Sequence, residues 1–90
     1  MRLHVELFYS PYCPRCRKAR QQVRALAAAW SAKVQFRELD VVQELDRAVS
    51  LGVLRTPALA IEGEVIAGPV PSPRSLETLF RKRLKEQESK

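Results

Sequence analysis

The two cysteines of this chain are separated by only two residues, in the stretch Cys13-Pro14-Arg15-Cys16. A disulfide between such close neighbours closes a short loop and constrains the unfolded chain very little, so stability is a poor reason for the pair. In a reducing compartment, cysteines at this spacing are more often redox-active or metal-binding. The spacing therefore predicts either a dithiol that exchanges with disulfides or a soft-metal site.

The residues around the cysteines predict a strand that ends just before the pair and a helix that starts at it. Leu3 to Tyr9 alternate in a pattern typical of a strand, and Ser10-Pro11-Tyr12 breaks that pattern. Apolar residues then recur at spacings of three and four, which indicates an amphipathic helix. These residues are Cys16, Ala19, Val23, Leu26, Ala27 and Trp30.

The start of this helix predicts different roles for the two cysteines. Pro14 suits the first helical position, which puts Cys13 at the N-cap, where oriented N–H groups favour a thiolate over a thiol. Arg15 adds a nearby positive charge with the same effect. Cys16 lies on the apolar side of the helix and is expected to be shielded. We therefore expect Cys13 to attack a target disulfide and Cys16 to resolve the mixed disulfide.

The rest of the chain predicts three further strands and two further helices. Val34 to Asp40 reads as a strand, in which the alternation slips in a way consistent with a bulge or a short register. Leu45, Ala48 and Val49 indicate a short helix that ends at Gly52. The remaining elements are a hairpin of residues 58–61 and 65–67 around Glu62-Gly63-Glu64, a proline-rich connector (69–73), and a final helix with Leu76, Leu79, Phe80 and Leu84, capped by Ser72. The order βαβαββα predicts an α/β fold, a four-stranded mixed sheet flanked by three helices.

Composition narrows the function classes. With 90 residues, of which 46% are hydrophobic, the chain is expected to form one domain over 1–90. No apolar run reaches the roughly 18 residues of a membrane span. The charged N-terminal segment does not resemble a signal peptide, so we expect a cytoplasmic protein without membrane association. The formal net charge of +6 is concentrated in 13–24 and 81–90 without interleaved aromatics, which favours solvated helix faces over nucleic-acid binding.

Two segments resemble a known family. Phe8-Tyr9-Ser10-Pro11-Tyr12-Cys13-Pro14-Arg15-Cys16 is similar to the active-site segment of small glutaredoxin-like proteins of the thioredoxin superfamily. Gly52-Val53-Leu54-Arg55-Thr56-Pro57-Ala58-Leu59 is similar to the family segment that ends in a cis-proline. The resemblance implies a thioredoxin-like fold in which Pro57 is cis and faces the cysteines, while the backbone of Thr56 contacts the bound substrate. The chain differs from glutathione-dependent glutaredoxins at Ser10, where they carry a lysine.

The resemblance implies a thiol–disulfide oxidoreductase with no cofactor beyond its own redox-active disulfide. Its partners would be disulfide-containing protein substrates and an upstream reductant, either glutathione or a flavin reductase, and we expect a monomer. Tyr12 either lines a substrate groove or packs on Pro11.

Two other functions stay open at this point. The first is a carrier that holds Cu(I) or Zn²⁺ between the thiolates. Carriers of the ferredoxin-like kind have the order βαββαβ, however, and the helix around Ala48 and the Thr56-Pro57 pair argue against that order. The second is a non-enzymatic module of the thioredoxin fold that docks a partner on its basic surface.

Overall fold

The computed structural model describes residues 2–88 and contains one four-stranded sheet. In chain order the elements are β1 (Leu3–Tyr9), α1 (Cys16–Ala29), β2 (Val34–Asp40), α2 (Leu45–Leu51), β3 (Ala58–Ile61), β4 (Glu64–Val65) and α3 (Pro73–Glu88). The strands lie in the order β2-β1-β3-β4, with β1 and β2 parallel and the other neighbours antiparallel. The predicted order βαβαββα and the mixed sheet are both confirmed.

The side chains of β1 alternate between two apolar layers. Leu3, Val5 and Leu7 are fully buried in the layer that contains α1 and α3. Phe8 points to the opposite face, where it packs in a second cluster with Ala48 of α2. Burying a side chain of this size contributes roughly 1.5–3 kcal/mol, so β1 anchors both layers. The loop that carries the cysteines therefore departs from an inner strand that is packed on both faces.

Strand β2 has the same two-faced pattern, and it contains no bulge. Its seven residues pair with β1 in an unbroken parallel register. Phe36 packs in the layer of α1 and α3, whereas Leu39 packs in the layer of α2. The expected bulge or short register was wrong, because the slip in alternation comes from apolar side chains on both faces of a regular strand.

Helix α2 occupies its predicted place but presents a different side to the sheet. It ends at Gly52, whose φ of 80° gives the left-handed C-cap expected from the sequence. Ala48 is buried and Leu51 packs beside it. Leu45 and Val49, which the sequence pattern assigned to the apolar side, are exposed. The predicted apolar side of α2 was therefore wrong in two of its three residues.

An ion pair between a buried carboxylate of β1 and an arginine of α2 accounts for this orientation of α2. The carboxylate of Glu6 on β1 is buried, and Arg47 donates to it from Nη2 at 2.8 Å and from Nε at 3.2 Å. Arg37 of β2 lies 3.9 Å from the same carboxylate. Because a buried carboxylate needs a charged or hydrogen-bonding partner, the Arg47 side of α2 faces the sheet. Leu45 and Val49 are consequently turned towards solvent.

The hairpin between β3 and β4 has a shorter turn than the sequence predicted. Glu62 and Gly63 have φ values of 52° and 79°, the pair of positive values that a two-residue type I′ turn requires. Pairing resumes at once, with Glu64 opposite Ile61. The second strand of the hairpin is therefore Glu64–Val65, and the prediction of 65–67 was displaced because Glu64 belongs to the strand.

Helix α3 closes the layer that contains α1. It starts at Pro73, and the Oγ of Ser72 accepts a hydrogen bond from the Ser75 N–H at 3.4 Å, which confirms the predicted cap. Its buried residues are Leu76, Phe80 and Leu84. Within residues 2–88, no helix combines the length and apolar character needed to cross a membrane.

Candidate active site

Two successive turns carry the chain from β1 into α1. The Cys13 N–H donates to the Ser10 carbonyl at 3.1 Å, and the Cys16 N–H donates to the Cys13 carbonyl at 3.3 Å. The helix itself starts at Cys16, and Arg15 is its N-cap. The prediction of Cys13 at the N-cap and Pro14 at the first helical position was therefore wrong by two residues. The reason is that Pro14 and Arg15 belong to a tight turn that precedes the first helical hydrogen bond, from Ala19 to Arg15.

The two cysteines are joined in a disulfide and differ in their exposure. Their Cα atoms are 5.3 Å apart, a distance within the usual range for a disulfide. Cys16 is 2% exposed and is the first buried residue of α1. Cys13 lies in the preceding turn and is only half-buried. The predicted shielding of Cys16 is thus confirmed.

The segment before β3 brings a second part of the chain to the disulfide. The peptide bond between Thr56 and Pro57 is cis, as the resemblance implied. The Thr56 carbonyl oxygen lies 3.6 Å from the Sγ of Cys13, although 43 residues separate the two in sequence. Thr56 and Pro57 are both half-buried, so a molecule that reaches Cys13 also reaches this backbone.

A groove of about 790 Å³ opens beside the disulfide. Pro14 and Thr56 line it next to the cysteines, and the proline-rich segment 68–73 lines it further away. Arg15, Lys18 and Arg55 also line it, and all three are exposed. Pockets of this volume hold a drug-sized molecule or a few residues of an extended chain.

A second hollow, of about 480 Å³, lies between α2 and the segment that precedes the cis-proline. Thr56 lines it together with apolar residues, among them the exposed Val49 and Leu54. Tyr12 is 89% exposed and lines neither hollow. This exposure does not fit the alternative in which Tyr12 packs on Pro11, and neither hollow supports the alternative in which it lines a substrate groove.

Ion pairs fix α1 to β2, and a cation–π contact joins α1 to the end of β1, from which the active-site loop departs. Arg20 and Arg24 of α1 both donate to the carboxylate of Glu38 on β2, at 2.7–2.8 Å. The hydrogen bond from Arg24 lowers the pKa of Glu38 below its ordinary value, and Arg20 adds to this effect against partial burial. The Arg20 guanidinium also lies 3.9 Å from the ring centre of Tyr9, the last residue of β1.

The sequence displays Lys18 and Arg55, but it does not show that these two cations line the same groove. Lys18 lies on α1, whereas Arg55 precedes the cis-proline. For Lys18, the available signal is the absence of any acidic residue from 13 to 24. On the sequence alone, that absence favours a solvated face, with attraction of acidic protein partners as the alternative, because the sequence does not reveal which distant segments meet.

Comparisons with known proteins agree on one family. A family model of the thioredoxin domain matches residues 1–81. A thioredoxin of Methanocaldococcus jannaschii is 29% identical over 83 residues, which cover 92% of this chain and 98% of that protein. A probable thioredoxin of Methanothermobacter thermautotrophicus is 30% identical, over 84% of this chain and 89% of that protein. The solved structure of mitochondrial thioredoxin 3 from Saccharomyces cerevisiae has a TM-score of 0.71 and 25% identity, and the match covers 89% of this chain and 77% of that one.

The chain belongs to the thioredoxin domain family. Proteins of this family act on disulfide substrates with the help of a reductant, and this chain is a thiol–disulfide oxidoreductase with the pair Cys13 and Cys16. The predicted superfamily is confirmed, and the family match is to thioredoxins. The element order also separates the chain from metal carriers with the order βαββαβ.

Proposed function

We propose that Cys13 is the attacking cysteine and Cys16 the resolving cysteine of this oxidoreductase. The observation that carries the assignment is the difference in exposure, since Cys16 is buried while Cys13 is half-buried beside an open groove. A substrate disulfide has access to the Sγ of Cys13. Cys16 is shielded from substrates and reaches only the Sγ of Cys13 itself.

Reduction of a substrate then takes place in two exchanges. The Cys13 thiolate attacks one substrate sulfur, the substrate S–S bond breaks, and the other substrate sulfur leaves as a thiolate that takes up a proton. The Cys16 thiolate, formed by loss of its proton to solvent, next attacks the Sγ of Cys13 and releases the second substrate thiolate. Two electrons have passed to the substrate, and the protein is left with the Cys13–Cys16 disulfide present in this structure.

The groove residues nearest the sulfurs are assigned to substrate positioning. The Thr56 carbonyl lies within 3.6 Å of the Cys13 Sγ, and a peptide bound there would contact the Thr56 backbone. Pro57 presents no N–H group next to the sulfurs. Pro14 holds the backbone of the turn, the Arg15 charge favours the Cys13 thiolate, and the exposed ring of Tyr12 offers the substrate an apolar contact.

The partners of this cycle are disulfide-containing proteins and an upstream reductant, for which glutathione and a flavin reductase are the two candidates. We propose that the chain acts as a monomeric single domain over 1–90 in the cytoplasm. Two features support this arrangement: both apolar layers assemble on one sheet, and the dithiol chemistry is suited to a reducing compartment.

Trapping experiments with cysteine variants test the two roles. The pre-reduced parent, Cys13→Ser and Cys16→Ser are mixed with a disulfide-bonded test protein, and products are separated without reductant. We expect no exchange by Cys13→Ser and a stable mixed disulfide through Cys13 in Cys16→Ser. Ala32→Ser, on the exposed turn after α1, is the control and should turn over like the parent. Turnover by Cys13→Ser at the parental rate, or a mixed disulfide through Cys16, would overturn the assignment.

A further inference from the structure

The charged side chains that line the groove beside the disulfide are all positive. Three cations line it, Arg15 between the cysteines, Lys18 on α1 and Arg55 before the cis-proline, and no acidic residue lines it. They come from two parts of the chain, the start of α1 and the segment before the cis-proline, so a single solvated helix face does not explain their meeting. Charges of one sign that line one groove sum to a positive potential, which salt screens over a Debye length of about 10 Å at 0.1 M ionic strength.

The groove cations lack the carboxylate partner that several arginines of α1 and α2 have. Arg20 and Arg24 share Glu38, and Arg47 binds Glu6. Across residues 2–88, by contrast, no ion pair includes any of the three groove cations. The first turn of α1 also contains no acidic residue. The positive charge beside the disulfide is therefore not neutralised by the protein itself.

The far wall of the groove suits an extended peptide. Gly68 has a φ of 82°, and the segment after it contains Pro69, Pro71 and Pro73. Proline lacks an N–H group and has a fixed φ, so this wall is stiff and donates few backbone hydrogen bonds. Electrostatic attraction therefore dominates the polar recognition that this groove can provide.

We propose that the groove docks an acidic segment that flanks the reactive cysteine of a protein disulfide substrate. The inference rests on the proposed function, because the docked segment must deliver its disulfide to Cys13. Glu or Asp side chains next to that cysteine complete the ion pairs that Arg15, Lys18 and Arg55 lack within the chain. The same cations attract such a substrate at a distance and raise its rate of encounter.

The test uses three self-quenched fluorescent peptides with one identical disulfide, flanked by three Glu, three Ser or three Lys residues. Single-turnover reduction by the pre-reduced protein removes any contribution from an upstream reductant. At low ionic strength we expect the Glu peptide to react about tenfold faster than the Lys peptide, at the low end of electrostatic steering effects. At about 0.5 M salt the ratio of the two rates should fall markedly, because charges then act on each other over only a few ångströms.

Two double variants with the same loss of charge separate the groove from net charge. Lys18→Gln with Arg55→Gln should bring the ratio of the rates for the Glu and Lys peptides close to one. The control is Lys33→Gln with Lys82→Gln, two exposed lysines that do not line the groove, and it should keep the preference. Arg15 is left unchanged in both, since it lies between the cysteines.

Each outcome has a defined meaning. Equal rates for the Glu and Lys peptides, in a protein that reduces the Ser peptide, would overturn the docking proposal and leave the oxidoreductase assignment intact. Equal loss of preference in both double variants would also overturn it, because net charge alone would then suffice. Faster reduction of glutathione disulfide than of the Glu peptide would overturn the choice of a protein segment. Failure to reduce any peptide would instead contradict the proposed function.

Discussion

Replacing Phe80 with alanine tests whether α3 holds the layer beneath the active-site helix. Phe80 is fully buried, and its ring meets the ring of Trp30 edge-on with centroids 6.2 Å apart. Deleting a buried phenylalanine side chain costs about 3–5 kcal/mol, from lost transfer free energy and the cavity left behind. A chain of 90 residues has a free energy of unfolding of about 4–13 kcal/mol, so Phe80→Ala should remove a large part of it.

Urea unfolding of the oxidised protein, followed by fluorescence, measures this loss. Trp30 is the only tryptophan and lies at the contact, so it reports directly on the packing of α3 against α1. With an m value of about 1.5 kcal/mol/M, the unfolding midpoint should fall by about 2–3 M. The exposed Lys82→Ala serves as the control and should change the free energy of unfolding by less than about 0.5 kcal/mol. A loss of under 1 kcal/mol for Phe80→Ala would refute the reasoning that this ring holds the layer together.

Two further predictions concern the ion pairs and the turns. The pKa of Glu38 is lowered, chiefly by its hydrogen bond to Arg24, so its contribution to stability is present above its ordinary pKa of 4.5 and is lost as the pH falls through the lower folded value. Glu38→Gln should therefore be less stable than the parent at pH 7. Thermal unfolding should show that the difference in melting temperature between the two proteins narrows below about pH 4.5. A difference that does not change with pH would contradict this linkage. Gly52→Ala should lower the free energy of unfolding by about 1–2 kcal/mol, because alanine is strained at a φ of 80°. Crowding does not contribute, since an added Cβ meets no atom within 4 Å. An unchanged melting temperature would argue against this prediction.

The order of elements and the position of the cysteines could be predicted from the sequence because both follow from local periodicity. Alternation in Leu3–Tyr9 and the three-to-four spacing after Cys16 each reflect one strand or helix against one apolar layer. The start of α1 was misplaced because the preference of proline for a first helical position also suits a turn. Hydrogen bonds at Cys13 and Cys16, which the sequence does not display, decide between the two.

Long-range contacts explain what sequence reasoning could not reach. The seven residues of α2 give fewer than two full turns of pattern, and the buried carboxylate of Glu6 determines which side faces the sheet. The cationic groove depends on Lys18 and Arg55, which lie 37 residues apart and meet only in the folded chain. Periodicity contains no information about either contact.

The seven-residue strand β2 is an edge strand of the sheet, with β1 as its only neighbour among the four strands. An edge strand has unpaired backbone N–H and C=O groups, and seven residues are enough for another extended chain to pair with it. Arg37, Glu38 and Asp40 occupy its second half, where a second strand would have to bring its own side chains alongside three charges. Glu38, the carboxylate that secures α1, is thus also one of the charges that oppose the pairing of another chain with this edge.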